Sequence, residues 1–481
     1  MPPGVRHLRL VLTVVTVSIG GSGACLERGD HDSSTSSLRL APCSVAGIER
    51  TTECGTLSVP ENRERPGRAI TLRMTVVRAT QPAAREAVFF LTGGPGTAAT
   101  ASARGLTREH AALAATHDFV FVDQRGTGES NPLRCESPPD PGLPPMFSAD
   151  DAAICRQALE PTADLLAYTT ADAAADLEAV RRALNYGPIN LHGSSYGTRL
   201  AWAYAAKFPK QARTLVLHGP APPGFLIPLP FAPGLDVALD GVVADCLADT
   251  DCADRFPRLQ ADVEAAFERL RNSAARVTLD GQQETTLSRG ELSEAVRYLL
   301  YSAFDARRIP LLLTQAAAGD YTPIARWSAN YRRALARDLN EGMYLSVTCA
   351  EDIPFLQEPE IESITRHTKL GDYRARQQMA ACSAWPRGKS GVAEPRPLPT
   401  PALILVGAYD PATPVEAAKR AAALLLDSRV VVVPHGGHAL NGLGIDDCLS
   451  RMTTRFIAEG KPAAVDDSCV AQARRLPFIL Q

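Results

Sequence analysis

The stretch Ile189-Asn190-Leu191-His192-Gly193-Ser194-Ser195-Tyr196-Gly197-Thr198 constrains what this chain can fold into more than any other. The helix-stopping Asn185-Tyr186-Gly187-Pro188 leads into it and an alanine-rich amphipathic run, Leu200 to Phe208, leaves it. The segment therefore reads as a strand, a forced turn and a helix, with Ser195 at the apex. Gly193 and Gly197 flank Ser195 with the spacing of a nucleophile elbow, a strained turn that lifts a serine hydroxyl clear of a sheet and leaves no room for a neighbouring Cβ. The hydroxyl then lies at a helix N-terminus. The first amides there lack intrahelical partners, so the amide of Tyr196 is available to an oxyanion. Ordinary strand-to-helix turns share this spacing, and the rest of the chain has to decide between the two readings.

Cys54 to Val59 and Ala69 to Arg78, separated by the turn-forming Asn62 to Gly67, read as an antiparallel hairpin. Ala87 to Leu91, His117 to Asp123 and Thr214 to His218 are short apolar runs of the kind that form buried strands. Thr170 to Leu184 has helical spacing, with Thr170 or Asp172 as its cap. Alternating strands and helices predict a mostly parallel sheet with helices on both faces. From Phe231 to about Gly391 the alternation stops. That segment is helix-rich, with amphipathic stretches at Leu259 to Asn272, Arg289 to Ala303 and Ile324 to Leu339 and a short hairpin near Arg276 to Thr286, as expected of an inserted lid. Alternation resumes with strand Ala402 to Val406, helix Pro414 to Leu426 and strand Ser428 to Val433.

With 481 residues the chain exceeds the usual size of one hydrophobic core. The expected organisation is a secretory signal over 1–24, a flexible tether over 25–42, the first part of an α/β core over 43–222, a helical lid over 223–395 and the rest of the core over 396–481. A net charge of −3 and the lack of a basic stripe give no reason to expect a nucleic-acid partner. No apolar run after the extreme N-terminus is long enough to span a bilayer, so no transmembrane segment is expected in the mature chain.

Arg6 and Arg9 precede the apolar run Leu10 to Ile19, and the small residues Gly20 to Ala24 follow, which is the pattern of an export signal. Ser22-Gly23-Ala24-Cys25 is similar to the site at which bacterial lipoproteins are cleaved, although Ser22 stands where that pattern usually has leucine. Plain cleavage after Ala24 competes with a lipid anchor at Cys25, leaving the protein either periplasmic and membrane-anchored or secreted. Cysteine parity bears on the choice. Of eleven cysteines, taking Cys25 as the anchor leaves ten that can pair. These fall in sequence-local couples, Cys43 and Cys54, Cys135 and Cys155, Cys246 and Cys252, Cys349 and Cys382, Cys448 and Cys469. No couple has the spacing of a structural zinc site and no histidines sit beside them, so no metal is expected.

Three strand ends carry reactive side chains in the order Ser195, Asp410, His438, which is the α/β-hydrolase arrangement of nucleophile, acid and base. Asp427 and Asp446 are rivals to Asp410 that do not directly follow a strand. His435 is the rival to His438, which is favoured because Gly436 and Gly437 give its loop freedom to cross the sheet. His192 and His218 read as satisfied core residues, and Ser194 is off the elbow's centre. Thr92-Gly93-Gly94-Pro95-Gly96 follows a buried strand and offers backbone amides at Gly93 and Gly94 for an oxyanion hole, with a tight turn as the alternative. Gln124 to Ser130 lacks the spacing of a phosphate loop, so Asp123 and Arg125 are expected to brace the site.

The Gly93-Gly94-Pro95-Gly96 loop, Asp123-Gln124-Arg125-Gly126, Gly193-Ser194-Ser195-Tyr196-Gly197, Cys349-Ala350-Glu351-Asp352 and the Asp410 strand end together resemble the secreted tripeptidyl aminopeptidases. These stand with the proline iminopeptidases among serine aminopeptidases of the α/β-hydrolase fold. The resemblance runs from about Cys43 to the end. It departs at Thr92, where proline iminopeptidases commonly have His, a difference that bears on subfamily because the loop works through its backbone. It implies an acyl-enzyme mechanism that needs no cofactor, acting on short peptides with a free N-terminus. Adjacent carboxylates otherwise read as a solvated turn. The resemblance turns Glu351, with Asp352 as partner, into the expected anion for a substrate ammonium group. An esterase or other small-molecule hydrolase would use the same triad, and an inactive binding protein on this fold is a third class.

Overall fold

The parallel strands of the protein bring their C-terminal ends to a common edge, and the chain order around that edge fixes where a site can form. The computed structural model describes residues 38–65, 67–81, 86–135, 148–279, 283–388 and 396–481. The export segment 1–24, Cys25 and the proline-rich stretch Pro138 to Pro145 lie outside the described residues. Strands β1 (Arg39–Cys43), β2 (Thr52–Pro60), β3 (Ala69–Val77), β4 (Ala87–Leu91), β5 (Asp118–Val122), β6 (Ile189–Ser194) and β7 (Ala212–His218) precede the helical segment. That segment holds the small hairpin β8 (Ala275–Leu279) and β9 (Gln283–Leu287), and β10 (Ala402–Gly407) and β11 (Ser428–Val433) follow it. Nine of these form one sheet in the order β1-β2-β3-β5-β4-β6-β7-β10-β11. The β1 to β3 ribbon and its junction with β5 are antiparallel, and every pairing from β5 to β11 is parallel. Connections from β4 run to opposite sides, with β5 to one flank and β6 to the other. That reversal opens a crevice beyond the carboxyl ends of the strands, the place where open α/β sheets bind ligands.

Both faces of the sheet are covered, which explains the continuous apolar runs. Phe89, Leu91, Val120 and Val122 point to the face packed by helices Thr170–Ala183, Tyr196–Lys207 and Val415–Ala423. Val88, Phe90, Phe119 and Phe121 point to the opposite face, under helices Ala103–Glu109 and Asp446–Glu459. The segment between β7 and β10 is mainly helical, led by Phe231–Ala248, Arg289–Leu299, Thr322–Asp338 and Glu341–Glu351. Its apolar interior is continuous with Tyr168, Tyr196 and Ala412 of the surrounding chain. No helix among the described residues is long and apolar enough to cross a membrane.

Two details differ from the sequence reading. Regular structure begins at Arg39, inside the expected tether, because β1 pairs along β2 and is exposed on most of its length, so no apolar alternation marks it. The cap of helix Thr170–Ala183 is Thr169, whose hydroxyl accepts from Asp172 N–H at 3.2 Å.

All ten described cysteines pair as the local couples, Cys43–Cys54, Cys135–Cys155, Cys246–Cys252, Cys349–Cys382 and Cys448–Cys469, which fits an oxidising compartment. The sequence separations run from 6 residues for Cys246–Cys252 to 33 for Cys349–Cys382. Loop-closure entropy then predicts that replacing both cysteines of Cys349–Cys382 by serine destabilises the protein by about 4 kcal/mol, against about 2 kcal/mol for Cys246–Cys252. Urea unfolding of the two double variants checks the order; equal losses would contradict it.

Candidate active site

β6 ends at Ser194 and helix Tyr196–Lys207 begins at Tyr196, leaving Ser195 alone at the turn with φ 55° and ψ −126°. Positive φ is strained for a residue with a Cβ and persists only where the surroundings impose it. Here Ser195 N–H donates to His218 O at 2.8 Å and Ser195 O accepts from Thr198 N–H at 2.9 Å. A Cβ at Gly193 would stand 2.6 Å from Gly197 O, and one at Gly197 would stand 2.1 Å from Leu91 O. The Ser195 side chain makes no capping bond to the helix.

The loop after β4 passes directly beside that hydroxyl: a Cβ on Gly93 would lie 2.8 Å from Ser195 Cβ and 3.3 Å from its Oγ. Two internal bonds close the loop, Thr92 Oγ1 donating to Thr97 O and Thr97 Oγ1 donating to Gly93 O, both at 2.9 Å. The residue at the departure from the proline iminopeptidase pattern thus has a structural task. Asn340 fastens the loop to the helical segment, its N–H and Nδ2 donating to Gly96 O at 2.8 and 2.9 Å. Asp123 accepts from Thr100 N–H and Oγ1, both at 2.9 Å, and steadies the chain beyond the loop. Arg125 is wholly buried, with Nε and Nη2 on Asp176 and Nη1 on the carbonyls of Glu61 and Ala167.

Asp410 follows β10 and is buried. Its Oδ1 accepts from Ala412 N–H and Thr413 N–H, both at 2.8 Å, and its Oδ2 accepts from Thr413 Oγ1 at 2.7 Å. His438 Nδ1 lies 2.8 Å from Oδ2 and 3.0 Å from Oδ1. Burial works to raise the Asp410 pKa, but His438 and the Thr413 donors outweigh it and hold the carboxyl below its ordinary range. Of the two histidines after β11, His438 is therefore the one on Asp410. His435 pairs with another carboxylate, Asp245 of helix Phe231–Ala248, at 2.8 Å. The glycines before His438 serve close approach and not freedom of rotation. A Cβ at Gly437 would meet Leu300 O at 2.3 Å, and Gly407 packs against the Gly437 carbonyl. The Tyr301 ring stands edge-on to His438 at 4.9 Å, and Tyr301 O accepts from Ala439 N–H at 2.6 Å.

Glu351 and Asp352 end helix Glu341–Glu351 beneath the elbow helix. Glu351 Oε1 and Oε2 accept from Thr170 N–H and Oγ1, both at 2.7 Å, with Arg199 Nη1 3.5 Å away. Asp352 is fully enclosed, with Oδ1 2.8 Å from Arg199 Nη2 and accepting from Ile227 N–H at 3.1 Å. Burial raises the Glu351 carboxyl pKa against the opposing pull of Arg199 and Thr170. Both carboxylates thus have a resident cation. Arg199 is not legible in the sequence as their partner, because nothing local links it to residues so far along the chain. Thr413 carries a signal, an Asp-Pro-x-Thr turn whose side chains fold back on their own backbone. Of His192 and His218, expected to be satisfied core residues, His192 is buried and His218 partly buried, and His218 Nε2 has no hydrogen-bonding partner among the described residues.

Residues 86–444 match the family model for the alpha/beta hydrolase fold. The tripeptidyl aminopeptidase of Streptomyces lividans is 26% identical over 465 residues, covering 88% of this chain and 85% of that protein. The serine protease Hip1 of Mycobacterium tuberculosis is 25% identical over 460 residues, covering 85% of each. The crystal structure of a proline iminopeptidase from Mycobacterium smegmatis aligns with 85% of this chain and 99% of its own at 17% identity and a TM-score of 0.41. The elbow, the parallel sheet with its strand-end loops and a family match across most of the chain agree: this protein belongs to the α/β-hydrolase fold family.

Proposed function

We propose that the protein is an exported serine aminopeptidase that removes short peptides from free N-termini through Ser195, His438 and Asp410. The observation that carries the reading is the buried Asp410 bonded to His438 Nδ1, at the sheet edge where Ser195 is held in its strained turn. His438 takes the Ser195 proton as Oγ attacks the scissile carbonyl, and Asp410 keeps the imidazole in the tautomer with its proton on Nδ1. The amides of Tyr196 and of the Gly93-Gly94 loop receive the oxyanion, and water then releases the acyl group. The helical segment between β7 and β10 acts as the lid, and the relatives' names support peptides as the substrate class. Five disulfides and the N-terminal signal pattern support export, with Cys25 as a lipid anchor in the anchored form.

Alanine at Ser195, Asp410 or His438 should leave a folded protein with turnover reduced by a factor of about 10⁴ or more, and the triple variant should be little worse than the poorest single one. Reaction with a fluorophosphonate and steady-state rates on aminoacyl arylamides check this. Normal labelling of Ser195→Ala, or activity retained in His438→Ala but lost in His435→Ala, would overturn the assignment.

Within this reading Glu351 receives the substrate ammonium. A peptide amine is mostly cationic at neutral pH, with a pKa of about 7.7 to 8.0, and an enclosed cation needs a counter-charge. Asp352 acts one step back, holding Arg199, and does not touch substrate. The pairing of Glu351 with Thr170 and Arg199 favours the second reading, an esterase, since an ammonium group would have to share an occupied carboxylate. Glu351→Gln separates the two. An aminopeptidase should lose roughly tenfold or more in kcat/KM on free-amine peptides and keep its rate on N-acetylated or simple esters, a loss of at least about 1.4 kcal/mol. Equal effects on both substrate types would remove Glu351 from amine recognition.

A further inference from the structure

A cavity of about 850 Å³ lies on the far side of the nucleophile strand, between the sheet and the helices Ala103–Glu109 and Asp446–Glu459. Gly93 and Ser194, both beside Ser195, and Ala439, which follows His438, line it. So does Glu109, whose side chain is half exposed. The walls are mixed. Phe90, Leu405 and Leu449 are apolar, but three imidazoles, His110, His192 and His218, project into the space from the helix side and from β6 and β7.

These imidazoles have no task in the proposed triad chemistry. His110 is 2% exposed, and neither of its ring nitrogens has a hydrogen-bonding partner among the described residues. The same holds for His218 Nε2, and the rings of His110 and His192 lie 5.3 Å apart. Burial, aided by His218, lowers His110 to about 4, and burial beside His438 lowers His218 to about 4. Both are therefore neutral at neutral pH, each offering one donor and one acceptor. A buried polar group left unmatched is costly. A roomy cavity with convergent polar groups holds water, and at about 30 Å³ per molecule this one has space for on the order of thirty. The helical segment borders this cavity too, through Arg337, Asp338 and Asn340, the last of which bonds to the Gly96 carbonyl.

We propose that this cavity is the conduit that delivers the hydrolytic water to the acyl-enzyme, entering beside Glu109 and arriving between Gly93, Ser194 and Ala439. The proposal rests on the reading that Ser195 becomes acylated. In the step it serves, the water oxygen bonds to the acyl carbon while His438 takes a water proton. The ester bond to Ser195 Oγ then breaks, and the proton passes from His438 to Oγ. His110, His192 and His218 gain and lose no proton; they are positioning residues that hold an ordered water file along the wall formed by Phe90, Leu405 and Leu449.

Two variants test it. Thr453→Leu adds bulk at a lining position whose hydroxyl has no partner among the described residues, and His110→Phe keeps the ring but removes its nitrogens. Each is followed by stopped-flow measurement of acylation and deacylation on a chromogenic acyl ester, with thermal unfolding to confirm the fold, and either folded variant alone decides the matter. The expected result is an acylation burst within about twofold of the parent with deacylation slowed roughly tenfold, so that labelled acyl-enzyme accumulates. Unchanged deacylation would overturn the conduit. So would acylation slowed in step with a raised KM, which would make the cavity a substrate pocket. A parent protein that never becomes labelled at Ser195 would overturn the acyl-enzyme reading and the conduit with it, whereas a labelled parent with unaffected variants overturns the conduit alone.

Discussion

The site depends on backbone passing closer to backbone than any side chain would allow. The elbow turn lies against the end of β4 so tightly that a Cβ on Gly197 would reach 2.1 Å from Leu91 O, and the next loop presses Gly93 against Ser195. Because β4 and β6 are neighbours in the sheet, the loops that leave them must share one small volume. Glycine is what permits both chains to enter it. The strain at Ser195 is sustained by that crowding and by the His218 carbonyl that holds its amide. Exposure of the hydroxyl is thus a property of the sheet and two loops together.

The helical segment is fastened to both halves of this edge. Asn340 grips the Gly96 carbonyl on one side, and Tyr301 holds Ala439 and faces the His438 ring on the other. Asp245, from the first long helix of the segment, adds a third tie by accepting from Tyr409, next to Asp410, and from Arg475 while it pairs with His435. The helical segment is therefore tied to the loops that carry Gly93, Asp410 and His438. The position of that segment and the geometry of the strand-end loops are linked.

Much of this is legible in the sequence because its signals are local. The buried strands announce themselves as apolar runs, the elbow by glycine spacing, and the order Ser195, Asp410, His438 by the polar side chain that stands just beyond each strand. Disulfide couples close in sequence are likewise readable. The parts that are not legible depend on distant partners. Arg199 meets Asp352 across 153 positions, and Asn340 meets Gly96 across 244. β1 escapes notice because an exposed edge strand needs only backbone pairing, which imposes no pattern on side chains. The glycines before His438 are necessary, as their sequence suggests, but for a different reason, since the closeness of the Leu300 and Tyr301 carbonyls can be seen only once the helical segment is folded.

The buried carboxylates show why Asp410 differs from its neighbours. Asp176 is matched by Arg125, Asp352 by Arg199 and Glu294 by Arg297, all permanent cations. Among the described residues Asp123 has only neutral donors, from Thr100 and Glu129, and burial pushes its pKa up. Asp410 has a comparable set of neutral donors from Ala412 and Thr413, yet it is held below the ordinary carboxylate range. The added group is His438. A permanent cation there would fix the charge balance once and for all. An imidazole is instead a group whose charge can change beside the carboxylate.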